Sequence, residues 1–184
     1  MRLTFIAALL FAGFVSVGCS TAPSSAEDRA SLERQAKETL AQFKSERPGY
    51  YKVYNDSSVG VAVFPSVGKG AVGVGGAYGK GVLMENGKVV GYCDLTQASI
   101  GLQLGGQAYA ELIFFQNRAS LGSFKNSELE FAAQASAVAL KADASANANY
   151  TNGVAVFTID GTGLMYEASI GGQRFTFLPK DTFD

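Results

Sequence analysis

Two hydrophobic periods divide the chain. Leu32, Ala36, Leu40 and Phe43 recur at helical spacing with Glu, Arg, Lys and Gln between them, which predicts one amphipathic helix over residues 26–46. Ser24 followed by Glu27 reads as its capping box, and Pro48 with Gly49 as its end. After Tyr50 the period becomes two. Ile100, Leu102, Leu104, Ala108, Ala110, Leu112 and Phe114 make a dry series, and Gln97, Ser99, Gln103, Gln107 and Glu111 a wet one. That is strand patterning, broken by a bulge, bend or turn at Gly105 and Gly106. Further strands are predicted at 138–148, 154–160, 164–171 and 174–178, with glycine-containing turns between them, and a short helix at 117–124. Residues 127–136 satisfy both a capping box, Ser127 with Glu130, and an alternation of two; they are read as a strand. In this reading Glu111, Asp143 and Asp160 face water, and Cys93 is packed within a strand.

The pattern contains one repeat. Gly-Val-Ala-Val-Phe occurs at 60–64 and again at 153–157, followed by Gly68 and Gly70 in the first copy and by Gly161 and Gly163 in the second. Each copy reads as a hairpin with a Gly-x-Gly connection. The stretch 68–73 also fits G-x-G-x-x-G. That fingerprint binds a dinucleotide only where it opens a helix, and here a strand with a nearly bare glycine face follows. A bare face admits the close approach of another backbone or element.

The first residues change the picture. Arg2 precedes an apolar run over 3–17, shorter than the roughly 20 residues of a membrane span and shaped like a secretory signal. Val15-Ser16-Val17-Gly18-Cys19 resembles a lipobox, in which the cysteine is acylated and becomes the new N-terminus. Residues 1–18 are therefore expected to be a signal peptide, 19–25 a lipid-anchored tether and 26–184 one domain. Ser20 after the cysteine favours the outer membrane. Taking 18 from 184 leaves 166 residues, enough for one core. Arg2 is the one charge removed, so 15 basic residues become 14 against 16 acidic. No basic excess exists to neutralise phosphates, which argues against nucleic acid. With Cys19 acylated, Cys93 has no disulfide partner.

The catalytic inventory is poor. The chain has no histidine, so His-based triads, His metal sites and the usual proton shuttle near neutral pH are absent. It has no cysteine pair for zinc or redox work, and no Gly-Lys followed by Ser or Thr for a P-loop. A non-enzymatic protein with no cofactor beyond the lipid on Cys19 is expected.

The motif at 60–64, the glycine stretch 68–81, the run 97–104 with 108–117, and the segment 153–177 together resemble the SYLF family of lipid-binding domains, in its bacterial lipoprotein branch. The resemblance implies an α+β fold with a strongly curved, mainly antiparallel, barrel-like sheet beside the N-terminal amphipathic helix and the short second helix. It also implies binding to membrane phospholipids. Phosphoinositides and actin, ligands of eukaryotic members, have no place in a bacterial envelope. The helix at 26–46 is charge-balanced, so Lys69, Lys80 and Lys52 are the candidate head-group contacts, with Gly68 and Gly70 supplying backbone N–H groups. The expectation is an outer-membrane-anchored lipoprotein, facing the periplasm or the exterior, whose domain binds anionic head groups. The alternatives are a structural or protein-interaction lipoprotein, whose partner the residues do not name, and a small transmembrane β-barrel.

Overall fold

The computed structural model describes residues 21–72, 74–100, 107–129, 150–160, 163–166 and 172–183. The expected signal segment, Cys19, Asp143 and the strand expected at 138–148 lie outside them. The first helix, α1 (Ala26–Glu46), has the bounds its pattern predicts, and it buries Leu32, Ala36, Thr39 and Phe43. Its cap is one residue later than expected: the Ser25 hydroxyl accepts from the Asp28 N–H at 2.9 Å. Pro48 does not end the helical region. It occupies the first turn of a second helix, α2 (Pro48–Ser57), where its missing N–H is not needed. Tyr51 packs on Phe43, and Tyr54 packs on Phe114 and Phe157.

Seven strands follow: β1 (Gly60–Val72), β2 (Val74–Glu85), β3 (Lys88–Ile100), β4 (Gln107–Phe115), β5 (Val154–Asp160), β6 (Gly163–Tyr166) and β7 (Gln173–Pro179). They form one sheet in the order β6-β5-β4-β1-β2-β3-β7. All its pairings are antiparallel. A helix, α3 (Arg118–Lys125), follows β4 and is capped by Asn117, whose side chain accepts from the Ser120 N–H. A 3-10 turn, Lys180–Phe183, follows β7. Residues 127–129 carry no strand pairing, so the described start of the expected strand at 127–136 is not one.

The fold is therefore α+β with an antiparallel sheet, as expected. The sheet is curved. Four strand spacings separate β4 from β7, about 19 Å in a flat sheet, yet Gln173 Nε2 donates to Glu111 Oε2 at 3.0 Å. The Phe64 and Phe175 rings, from β1 and β7, lie 5.9 Å apart. Among the described residues, however, β6 and β7 remain edges, and barrel closure is not seen.

Both faces of this sheet are dry. On the outer face α1 and α2 cover Val61, Val63, Val82, Met84, Tyr92, Leu112, Phe114 and Phe157. On the inner face α3 and the curling strands enclose Phe64, Leu83, Cys93, Leu95, Ile113, Phe115, Phe124 and Phe175. This overturns the wet and dry series. Glu111, expected at the surface, is fully buried, and Ala108, expected inside, is exposed. The series also spans two strands that are not neighbours, β3 and β4.

Candidate functional site

The Gly-x-Gly at 68–70 is no turn. β1 and β2 stay paired as far as Val72 with Val74, and Gly68 lies inside β1 opposite both Tyr78 and Ala108. A ladder on both sides occupies its backbone groups, which leaves no N–H cradle at Gly68. Gly70 pairs with Gly76. The bare face does admit close approach. A Cβ on Gly81 would lie 2.6 Å from Phe64 Cδ1 and 2.6 Å from the Val63 carbonyl oxygen, so the glycine makes room for an aromatic ring. The second copy of the repeat turns where expected, Asp160 pairing with Gly163.

The three candidate lysines are not brought together. Lys69, of which the backbone alone is described, pairs with Ala77 on β2 and Gln107 on β4. Lys80 lies three residues further along β2 than Ala77, about 10 Å, in the opposite phase of the strand. Its Nζ donates to Asp94 Oδ1 at 3.4 Å and to the Thr21 carbonyl at 3.3 Å. Lys52 is exposed on α2, over the β4–β5 side of the sheet, and forms a 2.7 Å ion pair with Asp56 one turn along. Cys19 lies outside the described residues.

What the structure does assemble is a seat for the N-terminal segment. Ala22 is 2% exposed, and the hydroxyls of Thr21 and Thr176 are 3.1 Å apart. Arg29 donates to the carbonyls of Pro23 and Ser24 and stacks 4.4 Å from the Phe183 ring. Thr21 and Ala22 are thus packed on the outer sheet face, while Ser24 and Ser25 are exposed. Two turns into α1, Glu33 accepts from Tyr92 at 2.8 Å and from Lys180 at 2.6 Å. Burial opposes the Glu33 charge, but the Lys180 ammonium and the Tyr92 hydroxyl outweigh it and hold its pKa below the ordinary value.

Asp94 beneath the segment is 6% exposed. Burial raises its pKa, and the opposing pull of Lys80, Tyr78 and Thr21 does not cancel that effect. The sequence reading missed Thr21, Asp94 and Thr176. The signal available was that Lys80 and Asp94 sit in phase on adjacent alternating strands. Cys93 is fully buried on the inner face, and burial pushes its thiol well above the usual range.

No protein-family model matches the chain. Among curated proteins it is similar to Beta cell expansion factor A of Aeromonas veronii, 29% identical over 157 residues. The match covers 84% of this chain and 59% of that protein, so the chain spans less than two thirds of the relative's length.

Proposed function

We propose that this protein is a SYLF-type envelope lipoprotein, anchored in the outer membrane through an acylated Cys19, whose domain engages anionic phospholipid head groups. One observation carries the reading. Thr21, the first described residue, is bound to Lys80 and Thr176 on the sheet, and Cys19 is only two residues before it in the sequence. Two residues reach about 7 Å at most. An acyl anchor there holds the domain against head groups, within the screening length of about 8–10 Å over which surface charges act.

The candidate contacts divide by their roles. Lys69 remains a head-group candidate, and Lys52 would reach lipid in exchange with Asp56. Lys80 serves the docked segment. A transmembrane barrel is disfavoured because α1 and α2 cover the outer face of the sheet that such a barrel would turn to lipid. The test is co-sedimentation of the Cys19→Ser chain with phosphatidylglycerol and phosphatidylcholine vesicles across a salt series. Preferential, salt-sensitive binding to the anionic vesicles is expected. Equal or absent binding to both would favour a lipoprotein that binds a protein partner.

A further inference from the structure

The outer face of the sheet is covered by helices along only part of its length. Among the described residues, the covering reaches as far as Thr21. Between Glu33 and Thr21 the chain moves from the level of Tyr92 to that of Asp94, which pairs with Lys80, on β3, and from Lys180, just past β7, to Thr176 within it. Both displacements run toward the end of the sheet that carries Gln97 and Gln173. The next register row in that direction runs across five strands: Ala108 on β4, Gly68 on β1, Tyr78 on β2, Thr96 on β3 and Arg174 on β7. All five are exposed, and Tyr78 at 42% is one of the two large exposed hydrophobic residues among those described. Followed along the curved sheet, four strand spacings make this row about 19 Å, with Tyr78 on its middle strand.

We infer that this uncovered row is the surface that meets the phospholipid bilayer, with the docked Thr21 and Ala22 setting that orientation. The inference rests on the acyl-anchor reading above. Thr21, the first described residue, is seated one register row from this row, so a lipid on Cys19, two residues earlier in the sequence, would draw this end of the outer face to the membrane and turn the Asn86–Gly87 hairpin away. The row's chemistry suits the position. Tyr78 presents an apolar ring with a polar tip, the type of side chain that partitions to membrane–water boundaries. Arg174 supplies a guanidinium for phosphate oxygens. Ala108 and Gly68 keep the surface low beside Tyr78, so the bilayer can approach the backbone there. None of the five is acidic, and Asp94 in the next row is covered by Thr21 and Lys80.

The chain has no tryptophan, so single-tryptophan reporters have no background. Tyr78→Trp, Thr96→Trp and Lys88→Trp would each be made in the full chain, purified with its native N-terminus and reconstituted into phosphatidylglycerol-containing vesicles with brominated lipid. Thr96 and Lys88 are eight residues apart on β3, about 27 Å. Bromine quenching several-fold stronger at positions 78 and 96 than at 88 is the expected result. Equal quenching, or stronger quenching at 88, in protein whose mass shows the acyl groups would overturn the face while leaving the anchor reading intact. An unacylated N-terminal peptide would overturn the anchor reading itself, and this orientation with it. Circular dichroism of each variant confirms that the exposed substitutions leave the fold in place.

Discussion

Two carboxylates on the outer face, one strand apart in their contacts, should respond to pH with opposite signs. Glu33 has its pKa lowered in the folded protein, so its contribution is present above the ordinary value of 4.5 and is lost as pH falls through the folded value. Glu33→Gln should therefore lower stability at pH 7 by about 1 kcal/mol, since Lys180 is itself partly exposed. That deficit should vanish in urea melts run well below pH 4.5. Asp94 has its pKa raised, so the folded state binds its proton more tightly than the unfolded chain, and its charge costs stability as pH rises above 3.8 through the folded value. Asp94→Asn should be neutral or mildly stabilising at pH 7, and that gain should shrink on acidification. A loss at neutral pH comparable to that of Glu33→Gln would show that the bond to Lys80 outweighs the burial. Cys93 belongs to the same scale: its buried thiol should react fully with a thiol reagent only after urea is added, and rapid native labelling would contradict its placement.

Secondary-structure elements show why part of the fold was legible and part was not. The helix at 26–46 and the strand at 154–160 follow from apolar spacing, because each has a face whose periodicity matches its geometry. Glu111 was misread because the rule of one wet face fails when helices cover one side of a sheet and the sheet's own curvature covers the other. Asn86 and Gly87, at φ of 51° and 74°, form the two-residue turn that Asn-Gly favours, a signal present in the sequence but not used. The repeat was legible as text yet misleading as structure. Its two copies flank β4, with Ala62 opposite Ile113 but Ala155 opposite Phe114. That one-residue offset sends the copies to opposite faces, so Phe64 joins the inner core and Phe157 the outer one. Lys80 looked like a free surface cation because its partners, Asp94 and the Thr21 carbonyl, come from segments 14 and 59 residues away. The glycines of β2 give the sharpest test at this scale. Gly81→Ala forces a methyl into the Phe64 ring and the Val63 carbonyl, an overpacking that should cost about 1–3 kcal/mol in urea denaturation. Gly49→Ala, where a Cβ would meet nothing within 4 Å, is the matched control and should be close to neutral.

At the scale of the whole molecule, the proposed anchoring and the proposed orientation are separable, because they would depend on different lengths of chain. Acyl chains contribute about 0.8 kcal/mol per buried CH₂, so a multiply acylated cysteine holds the protein in the membrane whatever the domain does. Cys19→Ser should move the protein to the soluble fraction or leave it unprocessed, and normal membrane fractionation with the signal removed would defeat the anchor reading. Orientation depends instead on the short path from Cys19 to the seat of Thr21. Lengthening that path by a Gly/Ser insert of about ten residues after Ser20 allows an end-to-end distance of roughly 16–19 Å, well beyond the Debye length. The insert leaves the lipobox and the contacts of Thr21 with Lys80 and Thr176 unchanged. Membrane fractionation should therefore be unaffected. Quenching of a tryptophan at position 78 by brominated lipid should fall several-fold, and what remains should become salt-sensitive, because head-group attraction alone would then hold the outer face to the bilayer. Quenching unchanged by the insert and insensitive to salt would mean that the domain holds the bilayer by apolar contact of its own, and the short anchor would lose its role in setting the orientation.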